Sequence, residues 1–94
     1  MQGGTVARRV VVHGRVQGVF FRASTRDQAR RHAVAGWVRN RPDGSVEAWL
    51  EGRGRDVEAV LAWIHAGGPR HASVEHVEVA QEEPEGHRGF RVSR

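Results

Sequence analysis

One short segment of this chain has residue types and spacing that could do chemistry: Gly14-Arg15-Val16-Gln17-Gly18-Val19-Phe20-Phe21-Arg22. A β-rich stretch, Val6 to His13, runs directly into it, and a helix-compatible stretch follows. Glycine lets the backbone turn and lets main-chain N–H groups point inward at a small target. The following helix adds its positive N-terminal end, and Arg22 adds a planar guanidinium fork. An oxyanion such as phosphate is the natural ligand of such a cradle. A plain strand-to-helix turn with a solvated Arg22 would carry the same local pattern.

The elements that must position this segment follow from periodicity. Arg8 to His13 is rich in β-branched residues and reads as a first strand. Ser24 to Ala35 reads as a helix, with Phe21, Thr25, Ala29 and Ala33 on one face at a spacing of four, and Gly36 is expected to end it. Trp37 to Asn40 is a short second strand, and Arg41-Pro42-Asp43-Gly44 is turn chemistry. Val46, Ala48 and Leu50 alternate with Glu47, Trp49 and Glu51, which predicts a half-buried third strand. Asp56 is the expected N-cap of a second helix, whose Val57, Val60, Leu61 and Ile64 share a face and which Gly67-Gly68-Pro69 stops. Val74 to Val79 is a fourth strand, Glu82 to Gly89 a polar loop, and Gly89 to Val92 a short terminal strand.

The order βαββαβ with a small extra strand predicts an α+β, ferredoxin-like sandwich: an antiparallel sheet with both helices on one face. All 94 residues belong to one domain in this reading, which runs complete from Met1 to the tail strand. Strands one and two are parallel with strand three between them, so their C-terminal ends reach the same sheet edge. Two inter-strand spacings span roughly 10 Å, which places the glycine segment and Asn40 within reach of one small substrate.

Charge agrees with an anionic ligand. Residues 1–45 hold nine arginines against Asp27 and Asp43, a balance of +7, whereas residues 46–94 hold six arginines against nine acids, a balance of −3. The glycine segment lies in the positive half, where the local field favours anions. There is no lysine and no cysteine, which excludes lysine Schiff-base chemistry, disulfides and thiolate sites. No apolar run is long enough for a transmembrane helix, and Met1 to Thr5 is not the start of a signal peptide, so a cytoplasmic protein without a membrane partner is expected.

The nine-residue segment resembles the first signature of the acylphosphatase family, and Gly36-Trp37-Val38-Arg39-Asn40-Arg41-Pro42-Asp43-Gly44-Ser45-Val46-Glu47 resembles its second. Gly68-Pro69 and Phe90-Arg91-Val92 also fit the family pattern, and the similarity runs roughly from residue 8 to residue 93. The resemblance implies the same ferredoxin-like fold and the hydrolysis of a carboxylic–phosphoric anhydride to a carboxylate and inorganic phosphate. It assigns the phosphate to Arg22 and to the main-chain N–H groups of Gln17, Gly18, Val19, Phe20, Phe21 and Arg22, and gives Asn40 the attacking water. A carboxylate leaving group, with a conjugate-acid pKa of about 4, needs no strong general acid. No metal and no cofactor are therefore called for. Phosphate and sulfate are expected to compete with substrate, and a monomer is the default.

Other residues carry weaker signals. His13, His32, His65, His71, His76 and His87 show no compact metal-ligand spacing, and His13 reads as a partly exposed strand-end residue rather than a phosphohistidine. Trp37 and Trp49 read as buried or as cross-strand partners rather than as surfaces for bases. Phe20 and Phe21 divide into one loop-facing and one core residue. The alternative reading is a non-catalytic anion-binding or nucleic-acid-binding module of the same fold. RNA-recognition domains share the element order, but they need aromatics on the central strands, and Arg8 to His13 has none. A catalytically silent anion sensor and a piece of a larger carbamoyl-transferring protein are further alternatives. Retained Arg22 and Asn40 speak against the first, and the expected completeness of the chain against the second.

Overall fold

A computed structural model describes residues 4–93. Its elements are β1 (Thr5–Arg15), α1 (Phe21–Arg31), β2 (Ala35–Asn40), β3 (Val46–Arg53), α2 (Gly54–His65), β4 (Ser73–Glu82) and β5 (Phe90–Val92). The sheet order is β4-β1-β3-β2-β5. β1 runs antiparallel to both β3 and β4, and β2 antiparallel to β3. β5 adds to β2 in parallel, so the sheet is mixed rather than wholly antiparallel. The reason is directional: the chain leaves β4 at one edge, reverses in the 83–89 loop, and enters β5 at the other edge. This is the ferredoxin-like α+β arrangement, with β1 and β2 parallel on either side of β3.

Alternating side chains fill the space between sheet and helices. Val10 and Val12 of β1, Val38 of β2 and Val46, Ala48 and Leu50 of β3 meet Phe21 and Ala29 of α1 and Val57, Val60, Leu61 and Ile64 of α2 in one buried cluster. Each Val, Leu, Ile or Phe side chain removed from water in this way contributes about 1.5–3 kcal/mol before conformational entropy is set against it.

Several expected boundaries differ: β1 and β4 extend beyond the expected 8–13 and 74–79, and the helix ends shift for local reasons. α1 starts at Phe21 and ends at Arg31, three and four residues earlier than the spacing suggests. The helix is stopped not by Gly36 but by Ala33, which adopts the left-handed region (φ 56°). Val34 N–H then donates to Ala29 O (2.8 Å) and Ala33 N–H to Arg30 O (3.3 Å), closing a Schellman turn with buried Val34 over Ala29. Exposed Ala33 is therefore not a fourth core position of the helix face. Gly36 lies inside β2 instead, at φ 138°, where an added Cβ would sit 1.9 Å from Trp49 O. α2 begins before Asp56: Arg53 is its N-cap and makes no side-chain cap bond, and Asp56 stands in the first turn, favourable to the helix dipole.

β3 is also more deeply buried than simple alternation suggests, with Glu47, Trp49 and Glu51 covered as fully as Val46, Ala48 and Leu50. The face opposite the helices is closed by charge and by the 83–89 loop. Glu47 takes Arg39 Nε and Nη2 at 2.9 and 2.7 Å and an ion pair with Arg9 at 3.5 Å. The Glu51 carboxylate accepts from Trp49 Nε1 (2.9 Å) and from the backbone N–H groups of Glu85 (3.0 Å), Gly86 (2.8 Å) and His87 (3.2 Å). Burial alone would raise the Glu51 pKa, but these donors outweigh it and hold the carboxyl below its ordinary value. Trp49 is consequently sealed beneath the loop, with the His87 ring 5.8 Å away.

Candidate active site

The segment between β1 and α1 is a short irregular turn with two left-handed residues, Gly18 and Phe20. Val16 is pinned in the core, and Gly18 then adopts φ 75° in open space, so backbone conformation rather than crowding demands glycine there. Phe20 also takes the left-handed region (φ 63°, ψ 24°), which costs a bulky residue about 1–3 kcal/mol. It is 79% exposed, while Phe21 is buried against Trp63 at a ring distance of 5.8 Å, which is the expected division of the pair. As the N-cap of α1, Phe20 supplies no side-chain acceptor, and no acidic residue occupies the first turn. The positive helix end is thus not offset by a side-chain cap or a first-turn acid.

The cleft over this helix end is lined by Val16, Gly18, Phe20, Phe21, Arg22, Ala23, Arg26, Asn40 and Val92 and has a volume of about 390 Å³. Arg22 is half-buried and directs Nη1 at Ser93 O across 3.5 Å. Asn40, the last residue of β2, reaches the cleft from the opposite side. Its Oδ1 is buried and has no hydrogen-bond partner among the described residues. A buried acceptor left in that state costs about 1–3 kcal/mol unless a water or a ligand donates to it.

The two halves of the site are tied by Gln17. Its Nε2 donates to Arg41 O and to Ser45 O, both at 2.9 Å, so both amide protons bridge from the cradle to the hairpin that follows Asn40. That hairpin is closed by Arg41 N–H to Ser45 O (2.8 Å) and by the Asp43 carboxylate, which accepts from Ser45 N (2.9 Å) and from Ser45 Oγ. The Ser45 hydroxyl and N–H together hold the Asp43 carboxyl below its usual range.

The expected residues are therefore distributed unevenly. Gly18, Phe20, Phe21, Arg22 and Asn40 meet in one cleft, whereas Val19 packs against the core and Gln17 turns its side chain to the hairpin. The sequence reading did not include the Gln17 side chain, Arg26 or Val92. Arg26 was within reach, since it lies four residues beyond Arg22 and so on the same helix face. Gln17 and Val92 were not, because each acts on a segment distant in the chain. Of the histidines, His13 pairs with Glu78 at 2.6 Å and lies 5.6 Å from the His76 ring, on the sheet rather than in the cleft.

Fold and cleft together define a ferredoxin-like α+β protein with a helix N-terminus, an arginine and an amide converging on one small space. A family model described as Acylphosphatase matches residues 8–92. An acylphosphatase of Rubrobacter xylanophilus is 59% identical over 86 residues, covering 89% of this chain and 76% of the relative. One of Natronomonas pharaonis is 49% identical over 89 residues, covering 95% and 96%. The solved structure of an acylphosphatase from Coxiella burnetii superposes with a TM-score of 0.90 at 35% identity, covering 95% of this chain and 93% of that one. The chain belongs to the acylphosphatase family, and its activity is the hydrolysis of acyl phosphates.

Proposed function

We propose that the phosphoryl group of an acyl phosphate docks on the N-terminal end of α1, held by Arg22 and by the main-chain N–H groups from Gln17 to Arg22, and that Asn40 orients the attacking water. The water oxygen forms the new P–O bond, the bond to the acyl oxygen breaks, and the carboxylate leaves with the electron pair. A non-bridging phosphoryl oxygen takes the proton that the water loses. The leaving group is a weak base, so the task reduces to positioning the water and neutralising the phosphoryl oxygens. No step calls for a metal or an organic cofactor.

The observation that carries this reading is the pairing, in one cleft, of an uncapped helix start beside Arg22 with an unpartnered Asn40 carbonyl oxygen. An acceptor can take a hydrogen bond from water and leave the water's lone pair free for phosphorus. A negatively charged base in that position would repel the substrate. Inorganic phosphate and sulfate occupy the same cradle and compete with substrate, and the chain works as a monomer in the cytoplasm with no nucleic-acid partner.

The test is phosphate release in excess EDTA from acetyl phosphate, from benzoyl phosphate and from a phosphomonoester. The acyl phosphates are turned over and the monoester is left almost untouched, because an alkoxide leaves far less readily than a carboxylate. Equal rates on both classes, or activity lost to EDTA and restored by zinc or magnesium, would overturn the mechanism.

A further inference from the structure

The phosphate cradle accounts for the backbone at Phe20 but not for its side chain. An alternation of right- and left-handed residues turns N–H groups inward, so a left-handed conformation at this point serves the anion. Glycine would adopt it without strain, as Gly18 does two residues earlier. A phenyl group stands there instead, carries the steric penalty, and is 79% exposed with no burial to offset it. Strain of this kind at the mouth of a cleft points to a use for the ring itself.

The surroundings indicate that use. Phe20 lines the same cleft as Arg22 and Asn40, next to Val16, Ala23 and Val92, the last being 36% exposed. Arg22, Arg26 and Asn40 are the polar side chains of the lining, and Val16, Phe20, Phe21, Ala23 and Val92 make the rest of the wall apolar. A volume of about 390 Å³ lies within the roughly 300–1,000 Å³ range of small-molecule sites and exceeds what a phosphoryl group alone needs. An acyl phosphate whose phosphoryl group sits at Arg22 must extend its acyl end along the remaining wall.

We propose that the Phe20 ring is the acyl-binding shelf of this site and that it selects acyl phosphates bearing an aromatic or similarly broad apolar group over acetyl phosphate. The proposal rests on the phosphoryl placement given above. An aromatic acyl group can lie offset or edge-on against the ring and displaces water from an exposed apolar surface. A methyl group covers little of it.

The experiment compares kcat/KM for benzoyl phosphate and acetyl phosphate in the parent, Phe20→Ala and Phe20→Gly. Any shared loss from a disturbed cradle lowers both rates and cancels in their ratio. The benzoyl-to-acetyl ratio falls about tenfold in both variants, the scale of one lost aromatic contact with its buried area. In parallel, phenylphosphonate and methylphosphonate, which the enzyme does not hydrolyse, are titrated by thermal shift. The parent binds phenylphosphonate about tenfold more tightly, and Phe20→Ala removes that preference. An unchanged ratio and an unchanged phosphonate preference in Phe20→Ala would overturn the shelf while leaving the phosphoryl site intact. Failure of the parent to hydrolyse either acyl phosphate would instead overturn the phosphoryl placement.

Discussion

Arg22 shows how much of this site depends on one functional group. It stands in the first turn of α1, where no acid offsets the helix dipole, and it lines the cleft over that helix end. Removing one preorganised charge contact of this kind costs about 10²-fold or more. Phosphate should raise Tm by binding the folded state alone, and Arg22→Ala should abolish that rise and lower kcat/KM by at least ~10²-fold. Arg22→Lys should restore little of either, because an ammonium cannot present two parallel N–H donors. Lysine behaving like the parent would mean that charge alone is at work and the fork is not. Arg22 was legible as the arginine that ends the glycine segment, and Asn40 as the last residue of a short strand whose role the family resemblance implies. The orphaned state of Asn40 Oδ1 was not, since it depends on what packs around the amide.

Between elements, two ties carry the geometry, and neither announces itself in local sequence. Gln17 spends both amide protons on Arg41 O and Ser45 O and thereby sets the distance between the cradle and Asn40. Misplacement by about 1 Å can cost 10²-fold in rate, so Gln17→Leu should reduce kcat by at least ~10-fold while phosphate still raises Tm. Loss of Tm with a normal kcat would reduce Gln17 to a structural tie. The second tie is Glu51, which anchors the loop leading to β5. Its folded pKa is depressed, so its stabilising contribution is present above the ordinary carboxylate pKa and is lost as pH falls through the lower, folded value. Glu51→Gln should cost about 2 kcal/mol at pH 7, and the gap to the parent should narrow on acidification below about pH 4. A gap that stays constant from pH 7 to pH 3 would contradict a charge-dependent anchor. The helix boundary that sequence misplaced has a similar origin: left-handed Ala33 goes with the backbone bonds from Val34 and Ala33 to Ala29 O and Arg30 O, whereas glycine at 36 offers a stronger but misleading local signal. The burial of Glu47 and Glu51 was hidden for the same reason, because Arg9, Arg39 and the 83–89 loop cover them from elsewhere in the chain.

Across the whole molecule, the ferredoxin-like topology carries two strand ends to one edge and gives them different tasks. Element order was readable because periods of two and of three to four alternate cleanly along the chain. The parallel pairing of β5 with β2 was not, since a three-residue strand carries too little pattern to fix its direction. In this account β1 delivers a helix start that holds the phosphoryl group, and β2 delivers Asn40, which holds water and not substrate. Binding and chemistry should then be separable by substitution. The most direct measurement is kcat for benzoyl phosphate alongside the inhibition constant of inorganic phosphate in Asn40→Ala. In Asn40→Ala kcat should fall by ~10²-fold or more while the phosphate constant shifts by less than about threefold. A normal kcat with a raised KM would contradict it, because Asn40 would then bind substrate and the water would be guided by another group.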